Sequence, residues 1–444
     1  LDIAVIGAGI SGLSCAWRLQ GAGGGGAAPR VTLYEANDYI GGHTHTVDAT
    51  VDGISHPVDT GFLVFNHRTY PRLVALFETL GVDTTASEMT FSVHVDRARS
   101  RALEWAGTDL NSVFVQRRNL ADPRFLRMLA DLMRFNRAAT ALARTAAPPL
   151  RTWTLGEYLD EHRYSRVFRD WYLLPMAAAI WSCSTAQMRE FPLATFVRFC
   201  DNHGLLQVVD RPQWRTVTGG ARCYVERIVA TLPDVRAATP VRSVVRTRVG
   251  EQIKVAVRSA SGTALYDHVV FASHSDQSLA MLDDADPDQR ALLGAVRYQP
   301  NRAILHTDTA VLPAHRGAWA AWNYRSDESS LDQGAAAVSV HYLLNKLQPM
   351  PFTRPVVLSL NPAMRPDPSA VLDEFDYAHP LFDARAIRAQ ERLPALQGRD
   401  GVWFAGAWTG YGFHEDGLKS GLAVADQILQ SISQPQLAEA RLAA

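Results

Sequence analysis

Ile3-Ala4-Val5-Ile6-Gly7-Ala8-Gly9-Ile10-Ser11-Gly12, running on into Leu13-Ser14-Cys15-Ala16-Trp17-Arg18-Leu19, is the stretch that decides the fold. The first four residues are a short apolar run, the glycines mark a turn, and the following seven suit only a helix. After a glycine-rich gap, Val31-Thr32-Leu33-Tyr34 is a second apolar run and ends at Glu35. Strand, G-x-G-x-x-G turn, helix, strand and acid, in that order, form the βαβ unit that holds a dinucleotide. Gly7 makes the tight turn, Gly9 lets the backbone approach a pyrophosphate, and Gly12 lets the helix lie close on the sheet. The helix N-terminus offers free N–H groups and partial positive charge to the phosphates. Glu35 stands at the right distance to accept hydrogen bonds from a ribose diol.

At 444 residues the chain is too long for one compact core. A composition of 47% hydrophobic and 20% charged residues suits a soluble globular enzyme, and a net charge of −1 gives no reason to expect nucleic acid. Cys15, Cys183, Cys200 and Cys223 lie far apart, so neither a metal site nor a disulfide framework is expected and a reducing, cytoplasmic setting is the default. Apolar runs such as Leu173 to Trp181 are far short of a membrane span, and the N-terminus lacks the basic flank of a signal peptide.

Gly21 to Pro29 reads as a flexible connection. Gly41-Gly42-His43-Thr44 is either an ordinary turn or a close pass beside a bound cofactor. Val58 to Val64 reads as a strand entering a functional loop, and Phe91 to Val95 as a strand. From Asp122 to about Ala147 the pattern is helical, with Arg124, Arg127, Arg134, Arg137 and Arg144 among apolar residues, and Pro148-Pro149 stops it. A solvated arginine face over a core-facing stripe explains this helix; so does a peripheral contact with the inner face of an anionic membrane.

Residues 151 to 215 are mostly helical and rich in aromatics, which supply either core packing or the wall of an apolar pocket. A helix follows Thr218-Gly219-Gly220. Val241 to Thr247, Ile253 to Arg258 and Ala264 to Tyr266 then form an antiparallel meander, and His268 to Ala272 a buried strand. Ala303 to His306, Ala337 to Leu343 and Val356 to Leu360 are strand-like. Val402 to Gly406 is a last buried strand, and a glycine-rich loop leads from it into a helix. Nucleotide-fold signals thus occur at both termini and in the middle. The partition is a discontinuous cofactor domain (1–90, 216–295 and 396–433), a substrate domain inserted in two pieces (91–215 and 296–395), and a frayed tail (434–444). The fold class is α/β, or α+β overall: a Rossmann-like unit with a meander plus a mixed insert.

Four blocks, IAVIGAGISGLSCAWRL with Glu35, GGHTHTV, TVTGGARCYV with its meander, and VWFAGAWTGYGFHEDGLKSGLAVADQI, resemble the flavin amine oxidase superfamily, which includes monoamine oxidases, phytoene desaturases and protoporphyrinogen oxidase. The wording DTGFLVFN, FVRFCDNHGLL and GYGFHEDGLKSG is similar to a narrower bacterial group of flavoproteins. Members of that group are often found beside cyclopropane-fatty-acid-synthase-like methyltransferases, which implies a lipid methyltransferase as partner. The resemblance implies noncovalent FAD. Gly7, Gly9 and Gly12, with Ile10 and Ser11, would wrap the pyrophosphate; Glu35, followed by Ala36, would take the adenosine ribose. Gly41, Gly42, His43 and Thr44 would run past the flavin side, and the backbone of Val241 would meet the adenine. Gly406 and Ala407 would sit near the ribityl phosphate, and Asp416, Gly417 and Leu418 would put a helix N-terminus at the pyrimidine edge.

Several positions depart from the family pattern. His43 replaces an arginine, Trp408 replaces an acid, and His414 falls where amine-oxidising members often carry an aromatic over the flavin face. The stretch Asn301 to His306 lacks their active-site lysine. These departures weaken amine oxidation more than flavin binding. The first expectation is an FAD-dependent oxidoreductase that abstracts hydride from an apolar, unsaturated fatty-acyl or lipid chain, with desaturation or isomerisation as outcome. His414 is the catalytic candidate for moving a proton; His43 and Asp59 stand behind it. The alternatives are a flavin amine oxidase and a non-catalytic flavin-binding accessory subunit of a lipid methyltransferase.

Overall fold

A computed structural model describes residues 1–21, 29–97, 101–144, 153–207, 211–329 and 339–442, with side chains to 432. Two sheets organise it. The first is a five-stranded parallel sheet in the order Asp234–Arg236, Arg30–Tyr34, Asp2–Ile6, His268–Phe271, Val402–Phe404. Apart from the edge strand Asp234–Arg236, its strands read as mostly apolar runs because both faces are covered. The first helix, Ile10–Gln20, packs on the last, His414–Leu442, which runs on through the segment after Gln434. Their approach is tight: a Cβ on Gly421 would lie 2.1 Å from the Ser11 carbonyl oxygen. The meander forms as expected from Val241–Val249, Gln252–Ser259 and Gly262–Tyr266. N-terminal, central and C-terminal stretches therefore meet in one sheet, and its strand ends open on one side.

The second sheet has seven strands, ordered Val371–Leu381, Arg297–His306, Val357–Leu360, Val340–Leu343, Trp322–Asp327, Phe91–Asp96, Leu103–Ala106. It is antiparallel except where Trp322–Asp327 runs parallel to Phe91–Asp96. The aromatic-rich segment packs on it as helices, including Pro123–Ala143, Leu174–Trp181 and Leu193–Asn202. Trp105, Phe125, Phe135, Phe168, Trp181, Phe196 and Phe199 share one core. The arginine-rich helix is Pro123–Ala143; residues 145–147, the end of its sequence pattern, lie outside the described residues. The Pro148-Pro149 stop, most of the Gly21–Pro29 connection and Ala337 lie outside the described residues. Among those described, no helix is long and apolar enough to cross a membrane.

Candidate active site

Between the two sheets lies a cavity of about 1060 Å³. One end is the glycine turn. Gly7 holds φ at +105°, where its Cβ would meet the Ala272 carbonyl oxygen at 2.8 Å, and a Cβ on Gly12 would fall 1.8 Å from the Gly7 oxygen. Gly9 is different: its φ is −72°, and a Cβ there would meet only the Gly41 oxygen, at 4.0 Å. It borders open cavity. Gly9 is also the N-cap of the first helix, with no capping side chain and no acid in the first turn. The amides of the helix start are left to the cavity, as an anion site requires.

Glu35 borders the cavity, and its carboxylate also holds the turn in shape. Oε2 accepts from the Ala8 amide at 2.8 Å and Oε1 from the Asn37 amide at 2.9 Å. The Gly41 amide donates to the Ala8 oxygen at 3.0 Å, bringing the paired glycines onto the first turn. Gly7, Gly9, Ile10, Ser11, Glu35, Ala36, Gly41, Gly42, His43, Val241, Gly406, Ala407 and His414 all line this one cavity. Gly12, Thr44, Asp416, Gly417 and Leu418 are not on its wall. Leu418 is fully buried, a Cβ on Gly417 would press on Ile10, and the Asp416 carboxylate caps the last helix by accepting from the Phe413 amide at 3.0 Å. Burial pushes that carboxyl up to about 6.

His414 stacks on Phe62, ring centroids 3.9 Å apart. Its Nε2 lies 2.7 Å from the Tyr224 hydroxyl, which in turn lies 2.5 Å from the Thr44 hydroxyl. Burial pulls His414 down to about 3, so it is a neutral imidazole committed to Tyr224 at Nε2. Asp59 is off the wall. Its buried carboxylate accepts from the Ala221 amide, the Thr46 hydroxyl and the Gln348 amide group, which makes it a bracket between segments. Burial pushes Asp59 up to about 6.

Sequence reasoning missed a second cluster. His43 lies 5.1 Å from His379, 5.2 Å from Tyr377 and 6.3 Å from His274, centroid to centroid, and all four border the cavity. Burial lowers His43 and His274 to about 4 and His379 to about 3. The Asn301 side-chain amide lies 2.8 Å from His379 Nδ1. The alternation Phe375, Tyr377, His379 in one strand is the signal that places these side chains on one face.

The far end of the cavity is apolar, with Met89, Ile180, Phe199, Trp322, Leu358 and Leu360 on its wall. Among the described lining residues none is Lys or Arg, and the only carboxylates are Glu35 and Asp376. Asp376 is 81% exposed and pairs with Arg302 at 3.4 Å.

The family pattern of flavin-containing amine oxidoreductases matches residues 10–429. The chain belongs to that family. It is an FAD-dependent oxidoreductase. Solved structures share the fold: a CLA-producing fatty acid isomerase from P. acnes (15% identity, TM-score 0.65, 96% of this chain and 98% of that one); putrescine oxidase bound to putrescine (16%, 0.67, 97% and 99%); and cyclohexylamine oxidase from Brevibacterium oxydans (20%, 0.65, 98% and 99%). A comparison with curated proteins finds no match.

The residues present fit FAD. The uncapped helix start and the open space at Gly9 suit a pyrophosphate whose charge is met by backbone amides rather than a cation. Three buried polar atoms on or beside the wall, His43 Nε2, Trp408 Nε1 and Trp322 Nε1, have no partner in the protein; the first two lie at the cofactor end and are available to the cofactor, the third at the apolar end. None of the four cysteines is among the lining residues of the cavity.

Proposed function

We propose that this flavoenzyme acts on a C–H bond of an apolar, unsaturated fatty-acyl or other lipid chain, giving desaturation or double-bond isomerisation. The observation that supports this is the far wall of the cavity. It is built from aliphatic and aromatic side chains and carries no buried charge that would anchor an ammonium or a free carboxylate. An unpaired buried charge costs several kcal/mol in such surroundings, so a site for a cation would meet it with a carboxylate or a cage of aromatic faces; Met89, Ile180, Leu358 and Leu360 make the far wall better suited to a chain. Bound FAD supplies hydride acceptance from carbon. The apolar wall orients the chain and excludes water; Thr60 to Val64 and Phe413-His414 close it towards the cofactor. His414, neutral and joined to Tyr224 and Thr44, is the group that holds or moves a proton at Nε2. The fatty acid isomerase of the same fold acts on a substrate of this class; the amine oxidase reading has putrescine oxidase and cyclohexylamine oxidase beside it.

The test is anaerobic mixing of the FAD-loaded protein with unsaturated phospholipid, unsaturated fatty acid, and primary or polyamines. Bleaching of the oxidised flavin by lipid, or the ultraviolet absorbance of a conjugated diene without net bleaching, supports the proposal. Rapid bleaching by amines alone overturns it. Flavin that stays oxidised with every candidate, in a protein that co-purifies with a lipid methyltransferase, overturns it in favour of an accessory role.

A further inference from the structure

Residues 110–144 hold seven arginines and two aspartates, in a chain whose net charge is −1. Both aspartates are engaged: Asp122 caps the Pro123–Ala143 helix, and buried Asp131 pairs with Arg127 at 3.2 Å and Arg134 at 3.0 Å. The same segment exposes large apolar side chains, Leu110 at 77%, Leu120 at 53%, Leu126 at 44% and Met133 at 52%. Leu126 and Met133 are seven residues apart and share the outward stripe of the helix, beside Arg127, Arg134 and Arg137. The inward stripe, Phe125, Met128, Phe135 and Ala139, is already buried in the core. The helix therefore needs no protein cover for its apolar face, yet it presents a second apolar stripe among cations.

We propose that this surface docks on a bilayer containing anionic phospholipid. Leucine and methionine side chains enter the acyl boundary while the arginines extend to the headgroups. Charge decides between occupants. Two copies of the chain meeting here would juxtapose two arginine-rich faces, which repel, whereas an anionic lipid surface attracts each arginine. Asp109, the exposed carboxylate beside Leu110 in sequence, has its side chain engaged in capping the next helix turn. The position is also apt for lipid chemistry. Phe135 on the inward stripe meets Phe196 of the Leu193–Asn202 helix, centroids 6.4 Å apart, and Phe199 of that helix lines the cavity. One helix separates the docking face from the cavity. The proposal goes beyond the substrate reading, and its test requires no turnover.

The test is co-sedimentation of the FAD-loaded full chain with vesicles of phosphatidylcholine alone or with one-third phosphatidylglycerol. Binding to the anionic vesicles only, released by high salt, is expected. Each arginine neutralised should weaken it about fivefold, so Arg117→Gln with Arg137→Gln should lose about 25-fold. Leu126→Glu with Met133→Glu should abolish it, with the flavin spectrum unchanged as proof of folding. No binding, equal binding to neutral vesicles, or equal binding by the variants overturns the proposal. So does a stable dimer that Leu126→Glu with Met133→Glu dissociates, which assigns the face to a second copy.

Discussion

Two glycines three residues apart give opposite results when each acquires a methyl group. Gly9→Ala is tolerated by the apo fold: its φ of −72° suits any residue, and the nearest atom to the new Cβ is the Gly41 oxygen at 4.0 Å. Apo stability should stay within about 1 kcal/mol of the parent, a small gain from the stiffer unfolded chain offsetting a small loss at the N-cap. The methyl group projects where the cofactor backbone must approach. Overpacking of that kind costs about 1–3 kcal/mol, or roughly 5- to 150-fold in FAD affinity. Gly12→Ala puts its Cβ 1.8 Å from the Gly7 oxygen and 3.2 Å from the Ala272 Cβ, so the helix must lift off the sheet. That variant should lose stability before any question of cofactor arises. Fluorescence titration of stripped protein with FAD, and thermal melts of the same apo samples, separate the two effects. Wild-type affinity in Gly9→Ala would show that the cofactor does not pass this point; a wild-type melt in Gly12→Ala would refute the packing argument.

Other expectations follow from buried polar groups. Trp408→Phe keeps the ring bulk and removes the unpartnered indole N–H; losing one hydrogen bond of about 0.5–1.5 kcal/mol should weaken FAD binding roughly 2- to 12-fold in the same titration. His306 Nε2 and His341 Nδ1 each lie 2.7 Å from the Ser359 hydroxyl, and burial lowers them from 6.5 to about 4 and about 3. Depressed folded-state values mean that stability is intact above the unfolded value and is lost as pH falls below it. At pH 5 the loss is about 2 kcal/mol each. Urea titrations at pH 7.5 and 5 should show it, and His306→Gln with His341→Gln should remove their own share, about 4 kcal/mol, and leave the share of the other five buried histidines. Asp59→Ala strands the Ala221 amide and the Gln348 side chain and should cost more in urea stability than Asp59→Asn, which keeps one acceptor.

The parts of this fold that sequence makes legible are those where a backbone constraint is local. Positive φ at Gly7, close packing at Gly12, the run that ends at Glu35 and the two-residue alternation of the meander all declare themselves within a few residues. Most cofactor positions inferred from these blocks converge on one cavity. Pairing at long range leaves no such mark. The parallel match of Trp322–Asp327 with Phe91–Asp96 spans more than 200 positions, and nothing in either strand names the other. The convergence of His43, His274 and His379 has the same origin, since each comes from a different segment. Asp59 illustrates the reverse: an acid in a suggestive Val-Asp-Thr-Gly context turns out to bracket a helix start, and only its partners reveal that.

The distribution of charge ties these features together. Seven histidines, His43, His203, His274, His306, His341, His379 and His414, are held neutral by burial, five of them on the cavity wall. Away from Glu35 and Asp376, the described wall therefore offers hydrogen bonds without fixed charge. For an ammonium this is a poorer exchange for water than a site with a carboxylate at its apolar end, since only dipoles and aromatic faces meet the cation there. For an alkyl chain the exchange is favourable, since apolar surface is transferred from water into an apolar lining while His379 keeps its contact with Asn301 and His414 its contact with Tyr224. Charge is concentrated outside instead, on the arginine face around Leu126 and Met133. A largely uncharged wall behind a surface patch of arginines is the arrangement that the proposed lipid substrate and the proposed bilayer contact both require, and loss of vesicle binding in Leu126→Glu with Met133→Glu together with loss of lipid turnover would join the two.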